Sequence, residues 1–159
     1  GVRIAGMGDE WFTAPVNTPR GLYFTGYTEK DGSPDIGDSA ITETVGVGAM
    51  VTVAAPAVTR FVGSGGGYDD ALALSNRMDQ VCMSNNPNWS IPNWNFKGAP
   101  LGIDARKVVA TGIVPVINTG IAHREAGLGQ VGAGTAEAPL ACFEKAIIAY
   151  AKKLGIETE

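Results

Sequence analysis

The sequence has few of the residues that metal and nucleophilic sites most often use: one histidine and two cysteines among 159 residues. Cys82 and Cys142 lie far apart in the chain and form no Cys-x-x-Cys pair, so neither a zinc site nor any other cofactor is expected. A disulfide between them is the alternative to two buried free thiols. The free thiols, typical of a cytosolic protein, are the favoured interpretation.

Charge is also scarce, since only 18% of the residues are charged and the net charge is −4. No basic stripe is present, so a nucleic-acid partner is not expected. The uncharged, largely apolar run Thr44–Thr59 contains glycine, proline and threonine and is shorter than the ~20 residues of a membrane span. No signal peptide is visible at the start. The sequence therefore predicts a cytoplasmic protein without a membrane partner.

Glycine is abundant, with 22 residues, whereas the apolar fraction of 45% is ordinary for a globular protein. This combination predicts tight turns and close backbone approaches, and it excludes a coiled coil, a nucleic-acid-coating tail and a solvated linker. The length fits one domain. The chain begins on an alternating segment, Val2–Gly6, that resembles a strand already under way, which favours part of a larger fold.

Hydrophobic periodicity predicts several helices and a few short strands. The surest helix follows Pro139 and ends at Gly155. The other predicted elements are an apolar helix and turn from Gly37 to about Ala55, a short helix from Pro56 to Arg60, a helix over about 70–84, a loop over 85–102, a helical or extended segment over 102–111, and strands at 22–24 and 113–118. The expected class is α/β or α+β, with helices packed on a small sheet.

The segment Asn118–Glu125 is the richest in polar chemistry, and it follows the predicted strand 113–118. Ligands of open α/β sheets often bind at such strand ends. Asn118 and Thr119 offer hydrogen bonds to a carbonyl or phosphate. His123 is suited to proton transfer, and Arg124 is suited to gripping a carboxylate or phosphate. A purely structural histidine is the alternative.

Two other segments carry candidate residues. Gly127, Gly129 and Gly132 match G-x-G-x-x-G, and they are interpreted either as an anion-binding glycine loop before a helix or as a plain tight turn. Glu43 stands in an apolar segment, with Thr42 beside it and Asp38 or Ser39 as a helix N-cap. A buried Glu43 would need a partner such as Arg3, Arg106 or Arg124, whereas an exposed one would belong to a helix surface.

Three long phrases, 1–15, 34–44 and 112–123, together with Cys142–Lys145, are similar to the YlbE-like family of bacterial proteins. The resemblance extends over essentially the whole chain. Because members of that family are much longer, it implies that this chain is the C-terminal portion of such a protein.

The resemblance implies a subunit of oxamate carbamoyltransferase in allantoin breakdown, which interconverts oxalurate plus phosphate with oxamate plus carbamoyl phosphate. It further implies a homo- or hetero-oligomer and a small anionic substrate. The expected catalytic residues are His123, Glu43 and Asn118. The expected anion-binding residues are Arg124, Arg3, Thr119, Gly120, Gly127, Gly129, Gly132, Asp38 and Thr42. A non-catalytic interaction subunit, using the aromatic residues around Trp89–Phe96, is the alternative, as is a small-ligand-binding protein.

Overall fold

The computed structural model describes residues 1–34, 38–63 and 65–156, so the expected start of the apolar segment at Gly37 lies outside the described residues. The helices are α1 (Ser39–Thr42), α2 (Ala57–Phe61), α3 (Tyr68–Asp79), α4 (Ala105–Thr111) and α5 (Leu140–Lys153), and the strands are β1 (Arg20–Tyr23), β2 (Cys82–Ile91), β3 (Lys97–Ile103), β4 (Val116–Ala122) and β5 (Gln130–Glu137). Short 3₁₀ helices cover Glu29–Asp31, Glu43–Val45, Gly48–Ala54 and Pro92–Trp94.

The strands form two antiparallel sheets, one with the order β1-β5-β4 and the other a hairpin of β2 and β3. This arrangement is an α+β fold, one of the two expected classes. Strand β4 begins three residues later than the predicted strand at 113 and continues to Ala122. Asn118, Thr119 and Gly120 therefore lie within the strand and not in a loop beyond it. In the register of β4 and β5, Asn118 lies opposite Thr135.

Strand β5 was not expected, because its sequence is rich in glycine and alanine and carries few of the β-branched side chains that indicate a strand. The neighbouring strand explains the glycines. A Cβ at Gly132 would lie 2.5 Å from the carbonyl oxygen of Leu22, and one at Gly134 would lie 2.3 Å from that of Arg20. The prediction that abundant glycine serves close backbone approaches is confirmed here.

The segment predicted as a loop over 85–102 is instead the β2–β3 hairpin, and α3 ends at Asp79 rather than near residue 84. Of its aromatic side chains, Trp94 is buried while Trp89 and Phe96 are exposed. Asn95 and Phe96 both have positive φ, at 52° and 57°. Non-glycine residues rarely adopt this conformation, so the turn holds an exposed aromatic residue on a strained backbone.

Helix α5 matches its prediction closely, with Pro139 at the N-cap position. It secures the first part of the chain through two lysines: Nζ of Lys145 donates to the carbonyl of Thr13 and Nζ of Lys153 to that of Gly6, each at 2.6 Å. The predicted strand at 2–6 is reduced to one bridge, in which Val2 and Phe12 exchange two backbone hydrogen bonds of 2.9 Å.

Three apolar clusters form the core, and the two cysteines are buried within two of them. Cys82 and Cys142 are free thiols, as expected. Burial, with a smaller contribution from Asp79, raises the pKa of Cys82 to about 11. The predicted helix from Pro56 is confirmed as α2. The apolar segment after Asp38 folds into short α and 3₁₀ turns, with Ala49, Met50 and Val53 buried. In the described part of the chain, no helix is long and apolar enough to cross a membrane.

Candidate functional site

Glu43 is buried, with 7% of its surface exposed, and it connects two parts of the chain. Its Oε2 accepts the backbone N–H of Ala49 at 3.0 Å and that of Asn118 at 2.9 Å. The carboxylate fits closely over Gly48, where a Cβ would lie 2.0 Å from its carbon. The alternative of an exposed Glu on a helix surface is therefore wrong. We call Glu43, Gly48, Ala49 and Asn118 the Glu43 bridge.

Three consecutive candidate residues of β4 lie at the Glu43 bridge or next to it. The side-chain Oδ1 of Asn118 is buried and has no hydrogen-bond partner among the described residues. Such an acceptor is uncommon in folded proteins, because burial without a partner is unfavourable. Thr119 is buried, and its hydroxyl donates to the carbonyl of Gly120 at 3.1 Å. Gly120 itself is exposed, next to the side chain of Gln130.

Asp38 and Thr42 delimit α1, which leads into Glu43. Asp38 occupies the predicted N-cap position, but its side chain makes no capping hydrogen bond and it is exposed. The Thr42 hydroxyl donates to the carbonyl of Asp38 at 3.3 Å, within the helix. These two residues support the local turn.

The three arginines suggested as partners of Glu43 are engaged elsewhere. Arg3 forms an ion pair with Asp9 and lies 5.7 Å from the centre of the Trp11 ring. Arg106 binds Asp104 through two nitrogens, at 2.7 and 3.0 Å. These hydrogen bonds lower the pKa of Asp104 to about 2. Asp104 also caps α4, where its side chain accepts the backbone N–H of Arg106, so the helical alternative for 102–111 is confirmed over 105–111.

His123 and Arg124 lie at the opposite end of β4, where the turn Glu29–Asp31 packs against the strand. Nδ1 of His123 accepts the backbone N–H of Glu125 at 2.9 Å, so in the neutral ring the proton is on Nε2. The ring meets that of Tyr27 edge-on, with centres 5.8 Å apart. The Arg124 guanidinium donates to the carbonyl of Lys30 at 3.0 Å and remains exposed.

Asp31 completes this group, which lies near the turn that joins β4 to β5. We call the group the hairpin-end cluster, and its members are Tyr27, Lys30, Asp31, His123 and Arg124. Hydrogen bonds from the backbone and hydroxyl of Thr28 lower the pKa of Asp31, and the charges of His123 and Arg124 lower it further. The carboxylate therefore stays ionised beside the guanidinium. Sequence reasoning missed Tyr27 and Asp31, because nothing local connects them with a residue almost a hundred positions away.

The interpretation of the glycine motif as a loop before a helix is wrong. Gly127 and Gly129 lie in the exposed turn between β4 and β5, where both have positive φ, and Gly132 is inside β5. The segment leads into a strand and offers no helix N-terminus to an anion. The alternative of a tight turn accounts for Gly127 and Gly129.

The candidate residues thus do not form one site within this chain. Ile117, at one end of β4, lines a groove that also includes Arg3, while His123 follows the other end. At about 3.3 Å per residue, six residues of strand separate these positions by about 20 Å. The Glu43 bridge lies between them. Arg3 therefore belongs to a different surface from His123 and Arg124.

The groove is a cavity of about 610 Å³ bounded by the first residues of the chain, α1, the start of α4, β4 and α5. Its walls are mainly apolar, and Arg3, Asp104 and Arg106 are its charged residues. Most of its lining was not singled out from the sequence, because the residues come from six separate segments: Val2, Ile4, Trp11, Ile41, Met83, Ile103, Ile117, Phe143, Ile147 and Tyr150. Over the described residues, no group of three or more His, Cys, Asp or Glu side chains is arranged to hold a metal ion.

These features define an α+β domain with a buried carboxylate bridge, an exposed His–Arg cluster and an apolar groove. The family model described as "Oxamate carbamoyltransferase subunit AllG" matches residues 1–39. The chain is 58% identical over 156 residues to the oxamate carbamoyltransferase subunit AllG of Escherichia coli K12, and 44% identical to the uncharacterized protein YahG of the same organism.

Both curated relatives are much longer than the matched region. Each alignment covers 98% of this chain, but only 37% of the AllG relative and 33% of YahG. A crystal structure of a conserved protein of unknown function from Enterococcus faecalis V583 has the same fold, with a TM-score of 0.88 and 46% identity. That match covers 94% of this chain and 36% of the solved one. The chain therefore spans about a third of the length of these proteins.

Proposed function

We propose that this chain is the C-terminal part of a subunit of a carbamoyl-transferring enzyme that resembles oxamate carbamoyltransferase. The observation that supports this most is the 58% identity to a protein named as such a subunit, over nearly the whole chain. In the proposed reaction, phosphate attacks the carbamoyl carbon of oxalurate and the bond from that carbon to the oxamate nitrogen breaks. The proton lost by phosphate ends on that nitrogen.

The hairpin-end cluster is the part of the chain best suited to contact the substrates. Arg124 presents an exposed guanidinium, the group that binds carboxylate and phosphate in a bidentate manner, through two parallel hydrogen bonds. Nε2–H of His123 is a donor for the carbamoyl oxygen as that oxygen gains negative charge. Because Arg124 is exposed, the remaining walls of such a site come from another part of the subunit or from another subunit. This would place the active site at a junction in an oligomer.

Glu43, Asn118 and Thr119 have a different role in this proposal. The carboxylate of Glu43 is occupied by backbone N–H groups, so it acts as a positioning residue for β4 and not as a catalytic residue. Of the three, Asn118 supplies the polar contact in this proposal, because its Oδ1 has no hydrogen-bond partner among the described residues. Arg3 and the glycines at 127, 129 and 132 have structural roles in the same proposal.

The test is carbamoyl transfer by the intact assembly, measured in both directions. Loss of one charge-assisted contact, about 1.5–3 kcal/mol, predicts a decrease in kcat/KM of about 10–100-fold for Arg124→Gln. The His123→Gln variant is expected to lower kcat more than it changes KM. Arg60→Gln is the matched control, because Arg60 is also exposed and donates to a carbonyl, that of Gly66. Wild-type turnover in both variants contradicts the assignment of substrate contacts.

A non-catalytic interaction subunit is the second candidate function, and the β2–β3 hairpin favours it. Phe96 is 72% exposed and held at positive φ, an arrangement that packing among the described residues does not explain. Titration of the intact protein with phosphate, oxamate and carbamoyl phosphate separates the two candidates. Saturable binding that Arg124→Gln abolishes supports substrate contact. Absence of binding, with loss of assembly in Phe96→Ser, supports the interaction role.

A further inference from the structure

Three strongly exposed apolar side chains line the groove. Ile41 is 76% exposed, Met83 67% and Trp11 59%, and all three face the same cavity. They come from α1, β2 and the segment before β1. Large apolar side chains that converge on one concave surface are typical of a surface that another polypeptide covers.

The chemistry of the groove does not suit a small anion. Both of its guanidinium groups are already ion-paired, Arg3 with Asp9 and Arg106 with Asp104. Their charges are therefore largely neutralised at the rim, while the walls between them are hydrocarbon and aromatic. A carboxylate or phosphate entering this space would lose its hydration and gain no unpaired cation. An apolar centre with a polar rim is the usual composition of a protein interface.

We propose that the groove is the docking surface for an apolar segment of the same polypeptide, supplied by the part that the relatives carry outside the matched region. This rests on the proposal above that the chain is part of a longer subunit. In the AllG relative and in the solved structure, the match covers only 37% and 36% of the protein, so the same fold is joined to a larger body of chain. A tethered segment reaches the groove at high effective concentration.

A second copy of this chain fits the groove less well. A twofold dimer brings identical surfaces together, so the surface must be complementary to itself. A concave cavity of about 610 Å³ needs a protruding partner instead. A segment of different sequence from the same subunit can supply that shape.

The test is the chemical accessibility of the groove in the full-length polypeptide, assayed with a maleimide. Ile41→Cys and Met83→Cys report on the groove, and Phe61→Cys is the matched control, since Phe61 is similarly exposed but lies outside it. If the groove is covered, the two groove variants react at least about tenfold more slowly than the control. The parent protein, with Cys82 and Cys142 buried, gives the background.

Three results overturn the proposal: equal labelling rates in all three variants, protection that appears only as protein concentration rises, or protection that appears only when phosphate or oxamate is added. The second result indicates a dimer and the third a small-ligand site. Hydroxyl-radical footprinting of the unmodified protein avoids any effect of the substitutions. It should show Met83 and Trp11 protected and Phe61 oxidised. None of these readouts needs activity, so a covered groove without carbamoyl transfer rejects the proposed function and leaves this inference standing.

Discussion

The carboxylate of Glu43 accepts the backbone N–H of Asn118, 75 positions later in the sequence, at 2.9 Å. The same oxygen also accepts the N–H of Ala49. One carboxylate therefore accepts hydrogen bonds from a tight turn and from the outer edge of β4. A buried carboxylate that receives backbone donors is a strong connection, and its removal leaves those donors without a partner. The edge strand is thereby held by a side chain where a sheet would use another strand.

Glu43→Ala is expected to lower the free energy of unfolding by about 2–4 kcal/mol, because two buried backbone donors lose a charged acceptor. Urea denaturation at pH 7 measures the change. Glu43→Gln retains one acceptor oxygen and should fall between the alanine variant and the parent protein. Glu144→Ala, on the exposed face of α5, is the control and should change stability by no more than about 0.5 kcal/mol. Equal effects at residues 43 and 144 would contradict the bridge.

Gly48→Ala tests the fit between the carboxylate of Glu43 and the turn beneath it. Gly48 has φ +60°, so alanine there carries about 1–2 kcal/mol of backbone strain. Its Cβ would also displace the Glu43 carboxylate. Gly8→Ala is the matched control, because φ is +62° and no atom lies within 4 Å of its Cβ. Unfolding experiments should show a clearly larger destabilisation at residue 48, and equal losses would mean that backbone strain alone explains both.

The Asp104–Arg106 pair predicts a dependence of stability on pH. The folded-state pKa of Asp104, about 2, is lower than its ordinary value of 3.8, so the pair stabilises the fold above about pH 4. This stabilisation is lost as pH falls from about 4 to about 2. Arg106→Gln should therefore destabilise the protein at pH 7, and the difference from the parent should shrink on acidification over that range. A difference that stays constant from pH 6 to pH 2 contradicts this.

The two cysteines are expected to be inert in the native protein. Only the thiolate reacts, and a pKa of about 11 leaves roughly one in a thousand Cys82 side chains ionised at pH 8. Cys142 is fully buried beside Phe143. Reaction with a disulfide reagent at pH 8 should release almost no thiol until denaturant is added, after which two thiols per chain appear. Rapid native labelling of either residue would show local opening of the core.

The parts of the fold that could be predicted from the sequence are those with local signals. Pro139 and the apolar spacing after it define α5, and Pro56 precedes α2. The missed parts depend on distant partners. Strand β5 contains glycine because β1 approaches it closely, and 85–102 forms a hairpin because its polar side chains face outward from paired backbones.

The same distinction between local sequence signals and distant partners applies to the candidate site. A charged residue in an apolar segment left both a buried and an exposed Glu43 open, and the structure shows the buried one. Its partners could not be predicted, because they are backbone N–H groups, and these are present at every residue type except proline. The proximity of Asp31 to Arg124 likewise depends on the turn 29–31 packing against β4, which leaves no local pattern.

The lysines of α5 have a consequence for the order of folding. Lys145 and Lys153 hold the carbonyls of Thr13 and Gly6 across 132 and 147 positions of sequence. During synthesis the early segment is therefore translated long before the helix that secures it leaves the ribosome. Contacts of such long range form late and slow the overall folding rate. The groove wall formed by residues 1–5 therefore depends on contacts with α5 that can form only after that helix has been synthesised.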